Sequence, residues 1–110
     1  MPRDARLLLE DMRDSILRIR DYTNGFKPNS LDDPRTLDAV IRNLEVLGEA
    51  AKGVDEPTRT QMKSIEWRKV AGFRDVLAHQ YFGVDNSVIA DVVSSKLPGM
   101  LSELNQCLEK

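Results

Sequence analysis

Leu9, Met12, Ile16 and Ile19 recur at alternating spacings of three and four, while Arg3, Arg6, Arg13, Arg18 and Arg20 fall mostly elsewhere on the helical wheel. That period predicts an amphipathic helix over about residues 3–23 with a single apolar stripe. Asn24-Gly25 supplies its end, because glycine takes the left-handed cap conformation, and Lys27-Pro28-Asn29-Ser30 reads as an exposed polar connection. Asp33-Pro34 opens a second helix, about 34–52: the aspartate accepts from orphan amides, and proline at the first helical position gives up an N–H that had no partner. Its stripe is Leu37, Val40, Ile41, Leu44, Leu47 and Ala51, and Gly53 stops it. Gly48, inside the stripe, would let another helix approach closely.

Asp55-Glu56-Pro57 repeats the acidic-then-proline opening and predicts a short helix of about two turns, 57–63, with Ser64 capping the next. A third main helix should cover about 65–79, with Ile65, Val70, Phe73 and Leu77 near one face and Trp67 at its entrance. Phe82-Gly83 interrupts the pattern. Asp85 can cap a final helix in which Val88, Val92, Leu97, Leu101, Leu104 and Leu108 stay in phase, so Pro98 should kink this helix instead of ending it. No stretch shows strand alternation and no repeat period appears. The fold class is therefore all-α: one domain over 1–110, an antiparallel bundle of four to five helices.

Composition changes this picture little. With 110 residues, 41% of them hydrophobic and 31% charged, the chain can bury one core and is too apolar to be disordered. No apolar run approaches the roughly 20 residues that cross a bilayer, and Met1-Pro2-Arg3-Asp4 does not begin a secretory signal, so a cytoplasmic location is expected. Cys107 is the only cysteine and His79 the only histidine, which rules out an internal disulfide and a four-ligand zinc site; no metal or cofactor is called for. A net charge of −2 gives no global attraction for polyanions. Locally, however, Arg59, Lys63, Arg68, Lys69 and Arg74 face Glu66 alone between positions 59 and 74.

That stretch leads into Arg74-Asp75-Val76-Leu77-Ala78-His79-Gln80-Tyr81, where the candidate chemistry lies. His79 is the side chain whose unperturbed pKa suits proton transfer near neutrality. Metal-independent RNA cleavage deprotonates the 2′-hydroxyl for attack on the adjacent phosphate and protonates the departing 5′-oxygen. The phosphorane gathers negative charge that a permanently protonated, two-pronged guanidinium such as Arg74 is suited to stabilise. On a regular helix the two residues are rotated by about 140° from each other, so one copy does not present them cleanly together. Two copies related by two-fold symmetry would place two histidines and two arginines in one cleft. Tyr81 could orient a phosphate or accept a transferred group. From spacing alone a helix-end histidine is more often a cap or a hydrogen-bonded surface group, an isolated arginine a salt-bridge partner, and Trp67, Phe73 and Phe82 core or dimer-seam residues.

The run Arg74-x4-His79-x-Tyr81, with polar Asp75 after the arginine, resembles the defining motif of HEPN domains in the His-x-Tyr form of the HepT branch. The blocks 39–51, 67–74 and 79–85 are similar to HepT-family blocks as well, so the resemblance covers nearly the whole chain. It implies a helical-bundle ribonuclease toxin of a type VII toxin–antitoxin system, homodimeric, with RNA as substrate and the cleft where two motif copies meet. Arg74 and His79 would be catalytic and Asp75 supporting. It also implies an antitoxin, a minimal nucleotidyltransferase of the MNT type, that transfers AMP to the motif tyrosine, here Tyr81. The alternative is a non-catalytic HEPN module that binds and regulates such a nucleotidyltransferase. Two positions depart from the usual HepT pattern: Asp75 stands where Asn is common, and Glu66 where Pro commonly precedes the tryptophan.

Overall fold

A computed structural model of the chain describes residues 3–79 and 86–109, with Ala78 and His79 described through their backbone alone. Among these residues the regular structure is helical: α1 (Arg3–Tyr22), α2 (Pro34–Lys52), α3 (Glu56–Arg59), α4 (Trp67–His79), α5 (Asn86–Asp91) and α6 (Leu97–Leu108). A 3₁₀ turn, Pro28–Asp32, lies between α1 and α2, and a π turn, Val92–Lys96, joins α5 to α6.

The first two helices sit where the apolar period places them. Leu9, Met12, Ile16 and Ile19 are wholly buried. At the end of α1 the left-handed cap position falls to Asn24, φ +54°, one residue before the glycine expected there; Gly25 follows at +92° and its N–H donates to the Arg20 carbonyl at 2.8 Å, closing the helix. The connection that follows is tied down by buried Thr23. Its hydroxyl donates to the Ile19 carbonyl at 2.7 Å and accepts from the Phe26 N–H at 3.0 Å, while its own carbonyl accepts from the Ser30 hydroxyl at 3.0 Å. Asp33 caps α2 with both carboxylate oxygens, accepting from the Arg35 N–H at 3.2 Å and the Thr36 hydroxyl at 3.1 Å.

α2 lies between α1 and α4, and α6 covers α1 on another side. Arg6 near the start of α1 donates to the Leu108 carbonyl at the end of α6 at 3.0 Å, so these two helices run antiparallel. Gly53, just past the end of α2, lies against the Leu8 side chain, which makes α1 and α2 antiparallel too. The shared core runs from Leu9, Met12 and Ile16 through Val40, Leu44 and Leu47 to Ile89, Val93, Leu97 and Leu104.

Two further expectations are corrected. The short helix predicted over 57–63 is a single turn, Glu56–Arg59, after which the chain bends inward to bury Met62 and Ile65. Burial of those apolar side chains, with the Trp67 indole N–H donating to the Met62 carbonyl at 3.2 Å, outweighs continued helix. Ser64 does not cap the next helix. α4 begins at Trp67, with the Val70 N–H donating to the Glu66 carbonyl at 3.0 Å, and the Ser64 hydroxyl instead donates to Glu103 on α6. The helix runs on through Pro98, as its surviving phase predicts, with a π turn just before the proline. Proline has no N–H for the carbonyl four residues back, and the wider turn, in which the Leu97 N–H donates to the Val92 carbonyl, absorbs that defect while the helix phase continues. The Asp85 cap and Phe82 lie outside the described residues.

Candidate active site

α4 approaches α2 at Gly48. A Cβ there would stand 2.4 Å from the Arg74 Cβ and 3.0 Å from the Val70 carbonyl oxygen, so the two helices meet at a distance only glycine permits. The close approach read from Gly48 in the sequence is therefore present, and the side chain seated on it is Arg74.

From that base the Arg74 guanidinium extends to two carboxylates. Its Nε lies 3.3 Å from Oε2 of Glu49 on α2, and its Nη1 donates to Oδ1 of Asp75 at 3.2 Å. Lys52, also on α2, brings its Nζ within 3.7 Å of the same Asp75 oxygen. The Arg74 side chain keeps 35% of its surface open and Glu49 keeps 63%. Ion pairs this exposed contribute only about 0–1 kcal/mol to stability, so this group of charges orients side chains far more than it holds the fold together. Glu49 escaped the reading of the sequence, which singled out only Asp75 as a supporting residue beside the arginine. The available signal was its position directly after Gly48, from which a long side chain at the rim of the crossing can reach the other helix.

His79 is the last described residue of α4, five residues beyond Arg74. Its imidazole and all of Tyr81 lie outside the described residues, so the structure gives no distance among the three motif side chains. Among the described residues, no group of three or more His, Cys, Asp or Glu side chains is placed to hold a metal ion. No helix among them is long and apolar enough to cross a membrane.

The basic stretch before Arg74 divides in two. Lys69 pairs with Glu66 at 2.8 Å and Lys96 reaches the same carboxylate at 3.6 Å. The hydrogen bond from Lys69, then the charges of Lys69 and Lys96, hold Glu66 below the usual glutamate range, and Glu66 in turn raises Lys69. Arg59 lies 5.5 Å over the Trp67 ring and donates to the Ala51 carbonyl at 3.0 Å, while Lys63 and Arg68 are exposed around the same shallow depression. Trp67 itself is buried, in keeping with a core role.

On its other flank α4 borders an apolar groove of about 780 Å³ against α5 and α6, lined by Val70, Phe73, Val76, Val88, Val92 and Met100. Val76 and Val88 stand 39% and 46% exposed on it.

The chain matches the family model described as Ribonuclease HepT-like over residues 12–107. A Thermococcus cleftensis protein named "Probable ribonuclease HepT" is 37% identical over 101 residues, covering 91% of this chain and 92% of the relative. A Methanocaldococcus jannaschii protein, whose name marks it provisionally as an RNase, is 36% identical over 111 residues, covering 99% and 92% respectively. Another so named, from Caldanaerobacter subterraneus subsp. tengcongensis, is 33% identical over 78 residues, covering 71% of this chain and 70% of its own. No solved structure matches the chain significantly. With a family model spanning most of its length and relatives aligned nearly end to end, this helical chain belongs to the Ribonuclease HepT-like family.

Proposed function

We propose that this protein is a metal-independent endoribonuclease, the toxin of a type VII toxin–antitoxin system. It acts in the cytoplasm as a two-fold homodimer and is neutralised when an MNT-type nucleotidyltransferase transfers AMP to Tyr81. The observation that carries the reading is Arg74: a guanidinium seated on a glycine crossing, braced by two carboxylates and still one-third open, on the helix that bears His79. A side chain so ordered meets the requirement that electrostatic catalysis places on its donors, which must be in position before charge develops.

In this reading His79 of one subunit removes the proton from the 2′-hydroxyl and its counterpart protonates the 5′-oxygen as the P–O5′ bond breaks. Arg74 stabilises the phosphorane between these events. The exposed Val76 and Val88 on the groove beside α4 give a second copy an apolar surface to cover. AMP on Tyr81 would add an anionic group next to the cleft and repel the RNA phosphate.

The test is cleavage of RNA by purified protein in excess chelator. His79→Ala and Arg74→Ala should each reduce the rate by about 10²-fold or more while leaving the oligomer intact. Turnover persisting at the wild-type rate in His79→Ala counts against the proposal. The second carboxylate on Arg74 favours a competing reading, a non-catalytic module that binds the nucleotidyltransferase. That module would form the complex and leave RNA uncut.

A further inference from the structure

Arginine has a long, freely rotating side chain, and ordering it carries an entropic penalty that a catalytic site must meet in advance. Two features restrain Arg74. Its Cβ is confined by Gly48, and its far end meets Glu49, which also comes from α2. Asp75 is the next residue on α4 itself and moves with that helix, whereas Glu49 ties the guanidinium to a different element. The two carboxylates approach Nε and Nη1, so among the described residues Nη2 is the guanidinium nitrogen that neither of them engages. With Lys52 near Asp75, the four side chains Glu49, Arg74, Asp75 and Lys52 alternate in sign, so the group as a whole carries no excess charge to repel RNA.

We infer that Glu49 is a positioning residue for the reaction: it holds Arg74 at Nε so that Nη2 presents to the scissile phosphate. This rests on the ribonuclease reading above. A carboxylate that merely happened to lie there would act on RNA only through repulsion, and its removal would then tighten binding without slowing the chemical step. A positioning carboxylate behaves in the opposite way, because a misplaced guanidinium slows the chemistry more than it weakens ground-state binding.

The experiment measures kcat and KM on an RNA substrate for wild type, Glu49→Ala, Glu49→Gln and Arg74→Ala, with Glu49→Ala also placed in the Arg74→Ala background. Unchanged circular dichroism and urea midpoints establish that each variant is folded. Glu49→Ala should lower kcat about 10-fold with KM within about 2-fold. Glu49→Gln, which keeps a polar oxygen at the same reach, should recover to within about 3-fold of wild type, and Glu49→Ala should cause no further loss once Arg74 is gone. In ¹⁵N-resolved spectra the Arg74 Nε–H should exchange a few-fold more slowly in wild type than in Glu49→Ala. An active wild type whose Glu49→Ala keeps its kcat, or an Arg74 Nε–H that is indifferent to Glu49, overturns the positioning role. A wild type that cuts no RNA removes the ribonuclease reading itself, which is a separate and recognisable failure.

Discussion

α1 and α4 are both amphipathic, yet they place their apolar residues differently. The α1 stripe Leu9, Met12, Ile16 and Ile19 is wholly buried between α2 and α6. On α4, Leu77 is buried, Val70 and Phe73 are half-covered, and Val76 lies open on the groove, while Arg74 and Asp75 engage charges on α2. The helix that is covered all along its stripe carries stability, and the helix that is left partly uncovered carries the candidate chemistry. A site must keep surface free for a substrate or a second subunit, so the two tasks fall to different helices.

The sharpest test of that contrast pairs one residue from each helix. Ile16→Ala should destabilise by roughly 2–5 kcal/mol, since it removes fully buried methyl and methylene groups, whereas Val76→Ala, measured at a dilution that dissociates the proposed dimer, should change stability by less than about 0.5 kcal/mol. Urea denaturation of both variants reads this directly, and equal losses would dissolve the distinction.

Gly48→Ala comes next, at the contact that joins the two regions. Helix propensity alone favours alanine by about 1 kcal/mol, but a Cβ at 2.4 Å from that of Arg74 must push α4 away, for a net loss of about 1–3 kcal/mol. RNA cleavage should fall with it. A variant that gains stability would mean that α2 and α4 can separate at little energetic expense.

The smallest effect concerns pH. Lys69 and Lys96 hold Glu66 below its ordinary value, so the stability it contributes is present above the unfolded glutamate pKa and is lost as pH falls through the lower folded one. The group is exposed, so the acid-side decline in urea midpoint should be slight, absent in Glu66→Gln, and erased by high salt. A decline of the same size in Glu66→Gln would assign it to other carboxylates.

Most of the fold could be read from local signals. The bounds of α2 and nearly those of α1 follow from periodicity, the Asp33-Pro34 cap and Gly25, because a cap and its amides are neighbours in the chain. The close approach at Gly48 was legible too, from its place inside an apolar stripe, and Arg74 stands out as a candidate through its spacing to His79. Ser64 was misread for the opposite reason: a serine before an apolar run resembles a cap, but its partner, Glu103, lies 39 positions away.

What the chain determined unaided is therefore the set of helices, the stripe each one buries and the residue types available for chemistry, since these depend on contacts within a few positions. Only the folded molecule decided that Glu49 and Lys52 meet Arg74 and Asp75, that the stretch after Arg59 turns inward, and that α4 keeps an open apolar flank. Those outcomes depend on how closely separate helices pack, and that distance is set by side chains distant in sequence acting together.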